Sequence, residues 1–134
     1  MAFPQREDEF MNRSLILLIL ANVAMTSLAQ IILKFGMSSS AVARTLSGGF
    51  RLGSMVNVLL HPWVLTGLVL YFAAAVVWLL VLSKVDVSLA YPFVGLGFVV
   101  TMLLAWAVLG EAVTVSRVVG TLLISAGVAI LALR

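Results

Sequence analysis

Four apolar stretches, each about as long as a bilayer demands, fix what this chain can fold into. They run over Ser14–Met37, Pro62–Leu82, Val87–Leu109 and Val115–Leu133. Crossing the hydrocarbon core as a helix takes about 20 residues. Inside that medium the backbone must satisfy its own hydrogen bonds, so each stretch has to be helical. The links at Ser83–Asp86 and Gly110–Thr114 are so short that the helices they join must form antiparallel hairpins. The predicted architecture is all-α, an integral membrane bundle of four transmembrane helices over residues 14–134. A polar tail at 1–13 precedes it, and both chain ends fall on one side of the bilayer.

Composition agrees. Of 134 residues, 63% are hydrophobic and 10% charged, with a mean hydropathy of +1.24. Soluble domains carry about 25% charged residues. The formal charge of +3 and the pI near 10.0 come from scattered single cations without any basic cluster, so nucleic acid is not an expected partner. Cysteine is absent, which excludes disulfides, iron–sulfur clusters and thiol chemistry. The opening residues, MAFPQREDEFMNR, are mixed in charge, and the apolar run behind them continues to Met37 without a small-residue cleavage site. It reads as a retained span rather than a signal peptide.

The first link, 38–60, is the long one. Val42, Leu46 and Phe50 recur at spacing four, with Arg44, Ser47 and Arg51 elsewhere on the helical wheel. That pattern suits either a short interfacial helix on the headgroups or a partly ordered loop. The cations do not set the orientation. Arg6, Arg13, Lys84 and Arg134 flank the spans on one side, and Lys34, Arg44, Arg51 and Arg117 flank them on the other. A cytoplasmic N-terminus by default is the expected orientation, with true dual topology as the alternative.

Within the spans the packing features are glycine, proline and small residues. Pro62 suits a helix first turn. Pro92 removes the helical partner of the Ser88 carbonyl, and with Gly95 and Gly97 it marks the expected hinge. Gly97, Thr101 and Ala105 form a small-residue face that admits close helix approach. Span four carries Gly120 and Gly127 seven apart, together with Thr121, Ser125 and Ala129 at spacing four, which is the pattern of a helix–helix contact.

Catalytic chemistry is missing. His61 is the only histidine, so with no cysteine there is no expected metal site, and no cofactor-binding motif stands out. There is no nucleophile motif, phosphate loop or carboxylate pair, and the chain is not expected to be an enzyme. All five acids lie outside or at the edges of the spans, with Glu111 just ahead of span four and Thr114 its expected N-cap. Proton-coupled exchange of organic cations needs an embedded carboxylate, and the spans hold none.

One stripe remains. Asn22, Thr26, Gln30 and Lys34 follow one another at intervals of four along span one. At about 1.5 Å per residue, Lys34 reaches the far interface, where a lysine can snorkel. Asn22, Thr26 and Gln30 lie at hydrocarbon depth, where polar groups need partners. They serve either as glue between helices or as a path for something polar.

These residues carry a resemblance. TSLAQIILKFGM at Thr26–Met37, VSLAYPF at Val87–Phe93, LGE at Leu109–Glu111 and GTLLISAGVAIL at Gly120–Leu131 are similar to the motifs of the EamA-type drug/metabolite transporter superfamily in its short four-span form. Within it the first span, Pro92 after Ala90–Tyr91 and the long first loop resemble the lipid-linked aminoarabinose flippase subunits, and more distantly the small multidrug resistance proteins. Small multidrug exporters carry an essential glutamate in span one; aligning the shared KF pair puts Thr26 in its place. The resemblance therefore implies movement of an undecaprenyl-phosphate-linked sugar across the inner membrane, by a dimer of small subunits in contact with membrane lipid.

On that reading Asn22, Thr26, Gln30, Lys34 and Tyr91 belong to the substrate pathway. Lys34, Arg44 and Arg51 are candidates to attract the phosphate, and Gly120 and Gly127 pack the dimer, with itself or with a related subunit. Two alternatives stand beside it: export of a small cation or metabolite without a span-one acid, and a non-transporting scaffold or accessory subunit.

Overall fold

A computed structural model describes residues 13–132 of the chain. The polar tail, apart from Arg13, and the last two residues of the chain lie outside the described residues, as do Arg6 and Arg134. Every regular element described is a helix: α1 (Arg13–Met37), α2 (Ser40–Ser47), α3 (Leu52–Leu59), α4 (Pro62–Leu82), α5 (Val87–Leu109) and α6 (Val115–Ala132). Helices α1, α4 and α5 are long and apolar enough to cross a membrane, and α6 is a shorter apolar helix.

Local chemistry sets the helix ends. α4 begins on an N-cap at His61 with Pro62 in its first turn, where a missing amide removes no helical hydrogen bond. α5 ends at Gly110, whose φ of 66° is left-handed and favours glycine. Thr114 Oγ1 accepts from the Arg117 amide at 3.4 Å at the start of α6. α5 is helical without interruption through Pro92.

α1 is the hub. It packs along α4 on one side and α5 on the other, α6 packs on α5, and α4 and α5 scarcely touch. Backbone proximity explains the α1–α4 seam. A Cβ added at Gly36 would stand 2.9 Å from the Val64 backbone nitrogen, and one at Gly67 would stand 2.7 Å from Leu33 Cγ. In lipid there is no hydrophobic drive between helices, so close van der Waals packing of this kind has to hold them. Ile19, Val81 and Ala90 close one end of the bundle, with Trp78 and Phe93 packed against them.

The opposite end is covered by the first link. Instead of one interfacial helix the link forms two helices of eight residues, α2 and α3. Val42 and Leu46 turn inward and pack with Val58, Val64 and Leu33, so the apolar face of α2 is used against the bundle. Phe50 does not join them. Gly48 caps α2, Gly49 takes a φ of 95°, and the break leaves Phe50 84% exposed in the turn. Ser39 accepts from the Val42 amide, and its hydroxyl lies 3.4 Å from His61 Nε2.

Candidate functional site

Because α4 and α6 are held apart by the helices between them, a cavity of about 770 Å³ opens among α1, α4, α5 and α6. It lies within the size range of small-ligand sites, about 300–1,000 Å³. Its α1 wall is Asn22, Val23, Thr26, Ser27 and Gln30, residues that share one helical face. Tyr71 and Trp78 line it from α4, with Trp78 bordering both the cavity and the Ile19–Val81–Ala90 cluster. Gly97, Thr101 and Ala105 contribute from α5, and Arg117, Gly120 and Thr121 from α6, with Glu111 on the link.

The polar stripe divides under this geometry. Asn22 is 7% exposed and its Nδ2 donates to the Ala74 carbonyl on α4, so it joins two helices while also bordering the cavity. Thr26 and Gln30 line the cavity, and among the described residues Asn22 is the only member of the stripe whose side chain bonds another helix. Lys34 is exposed and off the lining. The reason is helical drift. Each step of four residues over-rotates by about 40°, so Lys34 sits about 120° round from Asn22.

Other expected site residues fall outside. Tyr91 is 57% exposed and does not border the cavity. Arg44 and Arg51 are exposed on the α2–α3 cap, where Arg44 Nε donates to the Ser40 carbonyl. The face Gly97–Thr101–Ala105 borders open space instead of a close helix neighbour, and the nearest side-chain atom to a Cβ at Gly97 is Val23 Cγ1 at 4.0 Å. Gly95 makes the close contact: Ser125 Oγ donates to its carbonyl at 3.2 Å, and a Cβ there would stand 3.6 Å from Ser125 Cα. Gly120 borders the cavity and Gly127 faces open space.

Among the lining residues that the sequence did not point to are Ser27, Glu111 and Arg117. Ser27 is 1% exposed and its Oγ has no hydrogen-bond partner among the described residues. Its position one step from Thr26 and three from Gln30 puts it on the same wall, a signal hidden by the attention that spacing four attracts. Glu111 and Arg117 read as helix-end residues, since nothing in a sequence says that the α5–α6 turn folds over the cavity.

The chain has clear relatives. It is 35% identical over 114 residues to the probable 4-amino-4-deoxy-L-arabinose-phosphoundecaprenol flippase subunits ArnE of Pseudomonas paraeruginosa (strain PA7) and Pseudomonas aeruginosa (strain LESB58), matches that cover 85% of this chain and 93% of each relative. It is 43% identical over 70 residues to the protein of the same name from Pseudomonas fluorescens (strain Pf0-1), where the match spans 52% of this chain and 61% of that relative. No protein-family model matches the chain, and no solved structure does.

Proposed function

The chain belongs to the family of 4-amino-4-deoxy-L-arabinose-phosphoundecaprenol flippase subunits, and from this we propose that it is a multi-pass inner-membrane transporter that moves an undecaprenyl-phosphate-linked sugar between leaflets. The observation that carries the reading is the cavity, whose α1 wall offers the uncharged hydrogen-bonding side chains Asn22, Thr26, Ser27 and Gln30. A polyprenyl tail can stay in lipid while only the phosphate and sugar cross. For that head group the barrier is desolvation, and Thr26, Ser27 and Gln30 lower it by offering hydrogen bonds at hydrocarbon depth. A fixed charge at that depth would trap the head, and none is found on the α1 wall.

Lys34, Arg44 and Arg51 are exposed at or beyond the end of α1 that the α2–α3 cap covers, and they attract the phosphate before it enters. As a subunit the chain works with a second small subunit, either a copy of itself or a relative, packed against the outer face of α6 where Gly127 is open. The test is reconstitution into vesicles with a labelled undecaprenyl-phosphate-linked sugar. Transfer between leaflets above empty vesicles supports the reading. Absence of transfer by the chain alone and with its partner subunit rejects it.

A further inference from the structure

Two charged residues border the cavity, Glu111 and Arg117, and both stand where α5 gives way to α6. Arg117 lies in the first turn of α6, and its Nη1 donates to the Ala112 carbonyl at 3.0 Å. A cation there faces the positive end of the helix dipole, a placement that disfavours it unless an anion comes to the same spot. The first turn of α6 contains no acid. Glu111 is half-buried, and its amide closes α5 by donating to the Ala105 carbonyl at 3.2 Å. Asp86, the other acid among the described residues, caps α5 at the far end, which leaves Glu111 as the one carboxylate on the cavity. Among the described residues no acid lies within 4.0 Å of the Arg117 guanidinium, so the two charges do not neutralise each other directly. Further along the same lining, the buried Ser27 hydroxyl has no partner among the described residues.

Building on the flippase reading, we propose that Glu111 selects an aminated head group, its carboxylate receiving the sugar's ammonium while Arg117 holds the phosphate. A phosphate at Arg117 supplies the anion that the start of α6 lacks. An ammonium at Glu111 makes a charge-assisted hydrogen bond that a hydroxyl in its place cannot match. The pair thus reads a head group that carries both charges, and the relatives are named for a 4-amino sugar joined to a phosphate. Thr26, Ser27 and Gln30 then receive that head without a fixed charge of their own.

The test compares binding of two soluble probes, 4-amino-4-deoxy-L-arabinose 1-phosphate and L-arabinose 1-phosphate, to the full chain in detergent. The wild-type chain is expected to bind the aminated probe about tenfold more tightly, which is the size of one charge-assisted hydrogen bond. Glu111→Gln should bring the two probes within about twofold of each other, Glu111→Asp should restore the preference, and Arg117→Gln should weaken both probes alike. Each variant is compared with wild type by gel-filtration elution, so misfolding is visible. Equal binding by wild type, a preference that survives Glu111→Gln, or no binding of either probe overturns the assignment. The vesicle assay separates the two claims. Transfer of aminated and non-aminated lipids without preference keeps the flippase and removes the role of Glu111. A Glu111-dependent binding preference without any transfer does the reverse.

Discussion

The side-chain amide of Asn22 donates to the backbone carbonyl of Ala74, fastening the middle of α1 to the middle of α4 across fifty-two positions of sequence. One member of the polar stripe is therefore structural glue, while its neighbours Thr26 and Gln30 one and two turns on face the cavity. The two roles make opposite predictions. Asn22→Leu keeps the volume and removes the bond, and such bonds in membranes are worth about 1 kcal/mol. It should lower stability by about that amount in a detergent unfolding titration, with a smaller proportional effect on transfer of a lipid-linked sugar.

Gln30→Leu should behave the other way round. The side chain lines the cavity, so unfolding free energy should stay within about 0.5 kcal/mol of wild type. Transfer in vesicles should fall about tenfold if the proposed path runs through the cavity, since one hydrogen-bonding site on its wall is replaced by hydrocarbon. A fall in stability with transfer intact would place Gln30 with the glue.

Ser27→Ala removes a buried hydroxyl that has no hydrogen-bond partner among the described residues. Leaving such a group unsatisfied disfavours the fold by about 1–3 kcal/mol, so the unliganded variant should be as stable as wild type or more so by up to about 1 kcal/mol. Binding of the aminated sugar phosphate should weaken at the same time, which calorimetry on both proteins would read.

Gly36→Ala tests the α1–α4 seam. The new Cβ would meet the Val64 backbone nitrogen at 2.9 Å, and backbone cannot step aside as a flexible side chain can. Destabilisation of about 1–3 kcal/mol is expected from overpacking. Gly53→Ala on α3 is the control: a Cβ there meets nothing within 4 Å, so helix propensity alone should make it neutral or stabilising by about 0.5–1 kcal/mol.

Gly127→Cys tests the proposal that a partner packs on α6. The natural chain has no cysteine, so any cross-link formed on oxidation in membranes reports this position alone. A disulfide-linked pair of copies supports a homodimer through α6. Cross-linking solely to a cysteine-bearing relative supports a heterodimer, and cross-linking to neither moves the interface elsewhere.

Much of this molecule follows from one dimension of information. Apolar runs about 20 residues long and the demand for internal hydrogen bonding make four helices, and links of four and five residues make them hairpins. Sequence likewise determines that Thr26 and Gln30 are polar at hydrocarbon depth, because depth along a helix is only a count of residues. Rotation about the helix and the path of a turn belong to the tertiary structure. Over twelve residues the stripe drifts far enough to turn Lys34 away from the wall that Asn22 occupies. The Gly48–Gly49 break strands Phe50 outside the face it shares on a helical wheel. The α5–α6 turn brings Glu111 and Arg117 to the cavity, although by sequence they are ordinary helix-end charges. Side chains from four separate helices form the site, and which faces meet depends on small differences in packing among many nearly equivalent apolar surfaces. No single segment encodes that choice.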